Sequence, residues 1–458
     1  MRSLPPRPVT SAFPESATGI TDPSPNRTYV TVLLRRATEH CPGHSRFLFE
    51  KLNYVTLMKN KSSINSWRIV IALVIPFSIV LGREASLAAD SPAAALTCGW
   101  NTVSSANSSQ PTNVLSDVTV VSANDIWAVG QSARGSRVAN PLTEHWNGTT
   151  WTIVPAPQPP GSLASLGGVA AFSSTDVWAV GSIQTGNGPL RTFTEHWDGS
   201  QWTVVPSPSI GKIGPYPADN FLADVVAIAP NDVWAVGSAT TIVAGEALIL
   251  HWNGTSWSIV PNPAGNPRFY DANLLGIAAL SASDIWAVGQ TTTSEEHNMI
   301  QHWDGTKWSI VPSPKFNTNV DFLYSVSAVS ANDIWAVGTF TIPNAEGSPY
   351  QNATMHWNGT TWSIVSSPQP DEWLDILTSV TAISSNDVWA VGFIGTGTGY
   401  ETPETMHWDG TSWSIVPTPG GSQSTILLGA AAVSANDIWA VGDTSSSKRT
   451  LIEHFTCQ

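Results

Sequence analysis

One unit returns seven times between residues 98 and 458, and no other feature of the chain restricts its fold as much. Each copy holds an apolar strand, a Ser/Ala/Asn turn, DIWAVG or DVWAVG, and a variable segment. HWNGTxW or HWDGTxW then runs into IVPxP in most copies. The Asp of the first motif stands at Asp125, Asp176, Asp232, Asp284, Asp333, Asp387 and Asp437, with spacings of 51, 56, 52, 49, 54 and 50 residues. The His of the second stands at His145, His196, His251, His302, His356, His407 and His454, so two independent markers give the same count. Periods of about 40–50 residues rich in short strands are the mark of propeller blades.

Within a copy the residues divide into four strands, in the first about 117–121, 126–130, 142–146 and 151–154. Asn124-Asp125 separates the first two strands, and Asn147-Gly148, a strong hairpin signal, separates the last two. The first strands read GVAAF, VVAIA, GIAAL, VSAVS, VTAIS and AAAVS in copies two to seven; such small side chains suit strands crowded about an axis. The fold class is therefore all-β, a seven-bladed β-propeller with four antiparallel strands per blade.

The seventh copy stops at TLIEHFTCQ without a fourth strand, while CGWNTV precedes the first copy. Trp100 to Val103 matches the missing WSIV strand, so the N-terminal strand is expected to complete the last blade and close the ring. That alignment places Cys98 and Cys457 at neighbouring positions of one hairpin and predicts a disulfide between them. Closing a loop of that length stabilises by on the order of 5 kcal/mol in the chain-entropy picture.

The segment before residue 90 has a different character. From Met58, Lys59, Lys61 and Arg68 precede an apolar run from Ile69 to Leu81, and small residues follow at Ser86, Ala88 and Ala89. A basic head, a short apolar stretch and a small-residue site make residues 58–89 a signal peptide, cleaved near Ala88 or Ala89. The run is too short to span a bilayer, and Pro76 interrupts it. Residues 1–57 read as a non-native upstream extension, with Met58 the natural start, and residues 90–458 as one propeller domain. Cys41 falls before the cleavage site and leaves no odd thiol. Of 20 Lys plus Arg and 34 Asp plus Glu, residues 90–458 keep 9 and 29, a net charge of −20. Such a surface repels phosphate backbones and anionic lipid, so neither nucleic acid nor peripheral membrane binding is expected.

Residues found in every blade serve what every blade needs. The WAVG Trp is expected between neighbouring sheets, Trp146 and Trp151 to stack across their hairpin, and the motif Asp to accept hydrogen bonds from its own turn. The seven His sit on seven different blades and cannot converge on a metal, so none is assigned one. No EF-hand pattern, HExxH, GxSxG or phosphate-cradling loop occurs, and no cofactor is expected.

On these motifs, SxNDVWAVG and HWDGTxWS, the chain resembles secreted bacterial WAVG/HWDGTxW-repeat β-propellers, grouped loosely with kelch and galactose-oxidase-like propellers. The resemblance spans about residues 98–458 and implies fold and secretion rather than an activity. The kelch double glycine is absent, and no residue set resembles the galactose-oxidase copper site.

Alternating strands put the short, uniform connections (SAND, NGT) on one face and the long, dissimilar ones on the other, including 182–192, 209–221, 339–352, 366–377 and 393–404. Variation on one face of a rigid frame suits a binding surface; unconstrained loops are the plain alternative. Trp373, the one Trp of residues 90–458 outside the repeats, stands beside Asp371, Glu372 and Asp375, with Tyr400, Glu401 and Glu404 in the same region. A ring flanked by carboxylates can stack on a sugar and bond its hydroxyls; alternatively Trp373 caps a cavity between blades. Arg134, Arg137, Arg191, Arg268 and Arg449 all lie in loops of the same face, where clustered Arg would suit a carboxylate as in sialidase-like propellers. The expectation is a secreted, monomeric binding or interaction module, with a glycan or an extracellular protein as partner. A glycan-active hydrolase or lyase, with Glu401 and Glu404 as candidate acids, and a purely structural repeat protein are the alternatives.

Overall fold

The computed structural model describes residues 97–134, 139–264, 271–292, 296–316, 320–342, 350–370, 373–395, 400–419, 424–444 and 448–457. The chain divides into two units, Met1–Ser91 and Pro92–Gln458, and all described residues belong to the second. The expected extension, the signal peptide and Cys41 lie outside the described residues.

Seven four-stranded antiparallel sheets follow one another along the chain. Blade 1 consists of Thr112–Ser122, Asp125–Ala133, Ala139–Trp146 and Trp151–Ile153. The first strands of blades 2 to 7 are Ser162–Ser173, Asp219–Ala229, Asp271–Ser281, Asp321–Ser330, Leu374–Ser384 and Ile426–Ser434. These strands contact one another in turn, and that of blade 7 contacts that of blade 1, so they form the inner ring. Blade 7 lacks its own fourth strand and takes Cys98–Thr102, paired antiparallel to Arg449–Cys457 with Trp100 opposite Phe455 and Cys98 opposite Cys457. The Cys98–Cys457 disulfide locks this pair across 359 residues. The outer strands of the other blades are three residues long, and Pro follows within three residues in five of the six, which blunts the edges.

The first strands are longer than the alternation predicts. Each runs through a bulge just after a buried Leu, between Leu115 and Asp117 in blade 1 and at the corresponding place in the other six. The bulge resets the period of two, so the half of the strand nearer the variable face carries no clean pattern. The glycine of WAVG lies opposite. A Cβ at Gly338 would lie 1.9 Å from the Phe322 carbonyl oxygen, which accounts for glycine there in all seven copies.

Between blades the core is aromatic. The WAVG Trp of one blade meets the two hairpin rings of the next, as Trp127 meets Trp197 and Trp202 at 4.9 and 5.3 Å. Trp146 and Trp151 do not stack but tilt by 41° at 5.9 Å, because Trp439 of blade 7 packs against both. At the seam Trp100 supplies the missing ring, 5.8 Å from Trp389 and 5.6 Å from Phe455. The closing strand thus completes the last sheet and also the last aromatic triad.

Candidate functional site

On the face of short connections, repetition serves structure. Each motif Asp begins a second strand and reaches across the sheet, so its Oδ1 lies 2.7–2.8 Å from Nε2 of the His on the third strand, as in Asp125–His145 and Asp437–His454. In blades 3, 4 and 6 the same oxygen also accepts from the indole N–H two residues on. The Asp therefore braces strand to strand instead of serving its own turn. Ser122 Oγ accepts from Asn124 N–H in that turn. The His rings also lie against the WAVG Trp, 4.4 Å apart for Trp127 and His145. In the outer hairpin, Asn147 Oδ1 accepts from the N–H groups of Thr149 and Thr150, and Gly148 takes φ 90°. At the corresponding place Asp304 and Asp409 accept from the hydroxyl of Thr306 or Thr411 and then from the same two N–H groups, which together hold their carboxyls down at about 2.

The opposite face carries the long connections and the described candidate ligand residues. Trp373 is 53% exposed and Tyr400 57% exposed, both at strand starts of blade 6. The Trp373 carbonyl accepts from Tyr350 N–H at 3.1 Å, and a parallel bridge from Tyr350 to Leu374 joins the sheets of blades 5 and 6 there. About half of the Trp373 surface is in solvent and half is covered.

The neighbouring carboxylates do not share that exposure. Asp375 and Glu404 are buried between blades 5 and 6, where Asn352 Nδ2 donates to both oxygens of Glu404 at 2.9 and 3.0 Å. Burial pushes Glu404 up to about 8; the Asn352 bond opposes this and the Asp375 charge adds to it. Glu401 faces blade 7 instead: its N–H donates to Ser424 Oγ at 3.0 Å, and that hydroxyl is hydrogen-bonded to the carboxylate of Glu401. Burial, with the Glu401 charge, raises Asp443 to about 6. Glu401 and Glu404 are three residues apart in one strand and so lie on opposite sides of one sheet. They do not form a pair flanking one glycosidic bond, and Asp375 and Glu404 are interior groups rather than ligand contacts.

Arg134, Arg191 and Arg449 are exposed at the variable ends of strands in blades 1, 2 and 7. Arg137, Arg268, Asp371 and Glu372 lie outside the described residues.

The overall likeness of the chain to known proteins is one of fold. Solved structures with similar architecture include YCF48 bound to a D1 peptide, 14% identical with a TM-score of 0.47, covering 78% of this chain and 96% of its own. An ulvan lyase of a polysaccharide lyase family is 9% identical with a TM-score of 0.49, covering 77% of this chain and 95% of its own. A fucose-specific lectin from Aleuria aurantia is 13% identical with a TM-score of 0.39, covering 68% of this chain and 99% of its own. No family model and no curated protein matches the chain.

Two features of the site are not singled out by the sequence. Near the axis, Asp117 Oδ2 and Asp224 Oδ2 accept from Val169 N–H and Ile277 N–H of the following blades, each at 2.9 Å. Ser325 and Ser379 make the same stitch to Val380 N–H and Ala430 N–H. Burial raises the carboxyls of Asp117 and Asp224, and the charge of Asp117 raises Asp224 further. The change from Gly to Asp or Ser in otherwise alike strands is the only sequence signal. The second feature is a groove of about 630 Å³ between the variable ends of blades 2 and 3, beside a small hairpin of Lys212–Ile213 with Tyr216–Pro217. The unusual length of segment 209–221 signals it, but not its shape.

Proposed function

We propose that the chain is a secreted, monomeric binding module that recognises carbohydrate on its variable face. One observation carries the reading. Among the described residues four aromatic side chains are exposed, Phe172, Tyr216, Trp373 and Tyr400, and the last three stand on the variable face, whereas the WAVG Trp are buried throughout. Exposed rings over a rigid scaffold supply stacking area for sugar rings at little entropic cost. Secretion is supported by the leader-like segment 58–89 and by the Cys98–Cys457 disulfide, a bond that persists in oxidising compartments. The monomeric state is supported by ring closure and by short outer edges. The acidic balance of residues 90–458 directs the reading away from nucleic acid and anionic lipid.

The test is a glycan-array screen of the chain beside a Tyr216→Ala/Trp373→Ala/Tyr400→Ala variant and a Phe172→Ala control from the other face. Binding that the triple variant loses and the control keeps supports the reading. No glycan bound by the folded, unsubstituted chain overturns it and favours a protein partner or a structural role.

A further inference from the structure

We propose that the groove between blades 2 and 3 is a preformed site for a neutral saccharide, an inference that rests on the carbohydrate-binding reading and names its place and ligand class. The connection from blade 2 to blade 3 is built rather than merely long. Its hairpin turns at Gly214, with φ 59°, and buries Ile213 against Ala218 and Ala239 in a small core of its own. Asn220 clamps its base: Oδ1 accepts from Ile210 N–H at 2.8 Å, and Nδ2 donates to the carbonyls of Ile210 and Ala218, both at 2.9 Å. Neither the ring nor the blades need this addition, since among the described residues no other connection between blades carries a hairpin. A connection pinned in this way presents its side chains without an ordering cost at binding.

What it presents is a wall of rings and aliphatic carbon with acceptors beside it. Tyr216, Pro189, Pro217 and Ile242 line the groove, and Ile242 is 85% exposed. Asp219 and Gln184 supply the polar side. Asp219 Oδ1 accepts from Leu190 N–H at 2.7 Å and Gln184 Nε2 donates to the Gly188 carbonyl at 2.8 Å, which fixes both side chains and leaves Asp219 Oδ2 and Gln184 Oε1 to accept from a ligand. Hydroxyl groups donate to such acceptors while the C–H face of a pyranose rests on Tyr216. Asp219 is the one charged side chain among the described lining residues, so the wall itself favours a neutral sugar over a uronate or sulfated one, while Lys212, opposite Pro217, and Arg191, two residues after Pro189, are exposed outside the lining. The volume lies within the range of small-ligand sites.

The experiment compares binding of the full chain to immobilised neutral oligosaccharides and to uronate- and sulfate-bearing ones, then titrates the best neutral ligand against variants. Tyr216→Ala and Asp219→Asn are expected to weaken it at least tenfold, Tyr216→Phe and Trp373→Ala less than twofold. Ile242→Ser, altered only at an exposed side chain, gives a second reading that does not depend on the hairpin, with an expected loss of about threefold. Neutral binding that survives Tyr216→Ala and Ile242→Ser overturns the groove while leaving the variable-face reading standing. Preference for anionic glycans overturns the ligand class. No glycan bound by the unsubstituted, folded chain overturns both readings.

Discussion

The two faces of this propeller are made from the same strands and obey different rules. On the face of short connections, each blade repeats an Asp–His brace and a tight Asn-Gly or Asp-Gly hairpin in blades 1 to 6, with WAVG and hairpin rings packed between blades. On the other, no two connections are alike, and the rings of Trp373, Tyr400 and Tyr216 point outward. A residue demanded by blade packing recurs with the blade, whereas a residue that packing does not demand is free to differ, and here the differences gather on one face.

Substitutions should separate the two faces. The largest expected effect is Trp335→Ala: the ring is buried against Trp408 and Trp413, at 4.9 and 5.4 Å, and its loss should cost about 4 kcal/mol in denaturant unfolding. A similar cost for Trp373→Ala would break the distinction. Next, Cys98→Ser with Cys457→Ser should cost about 3 kcal/mol, and reductant should lower the melting temperature of the parent but not of the double variant.

A third prediction concerns a buried position inside the frame that holds Glu or Gln in four blades (Glu144, Glu195, Gln301 and Glu453) and an apolar residue in three. Glu195 is fully buried between blades 1 and 2 with neither carboxyl oxygen hydrogen-bonded, at the position held by Leu250, Met355 and Met406 in blades 3, 5 and 6. Burial pushes it up to about 8, from 4.5 for the ordinary group. The folded state therefore holds its proton while the unfolded state has released it. The stability from this group is full below about 4.5 and falls as pH rises through about 8. Glu195→Met should flatten that slope and stabilise by about 1–2 kcal/mol at pH 8, read from melts across pH. An equal pH slope in the parent and in Glu195→Met would show the carboxyl to be paired or hydrated, because Glu404 and the other raised carboxyls contribute alike to both.

The smallest effect is expected on the variable face, where Trp373→Ala should change stability by less than about 0.5 kcal/mol, since the backbone bond from Tyr350 to the Trp373 carbonyl is kept.

Much of this arrangement is legible in the residues. The spacing of WAVG and HWNGT shows the blade count, and laying Trp100 over Trp151 yields both the closing strand and the disulfide partner. The bulges are hidden because a break in alternation looks like the end of a strand, although the invariant WAVG glycine marks them. The candidate site is less legible. Glu401 and Glu404 are neighbours in sequence and Asp375 belongs to the same blade, but strand alternation and inter-blade packing send Glu401 toward one blade and Asp375 and Glu404 toward another. Sequence proximity in a loop-rich region does not distinguish a carboxylate facing solvent from one enclosed by a neighbouring sheet. The hairpin carrying Tyr216 depends on Asn220 and Ala239, contacts that segment 209–217 alone does not reveal.

The strand exchange at the seam has a consequence for how the molecule comes into being. Cys98–Thr102 is the earliest strand of the ring to be synthesised, and its partner, Arg449–Cys457, is the latest. Six blades can assemble in the order they are made, but the first strand must stay unpaired until the last has appeared. Closing the ring therefore needs a pairing across 359 residues, the kind of distant contact whose loop-closure cost slows folding.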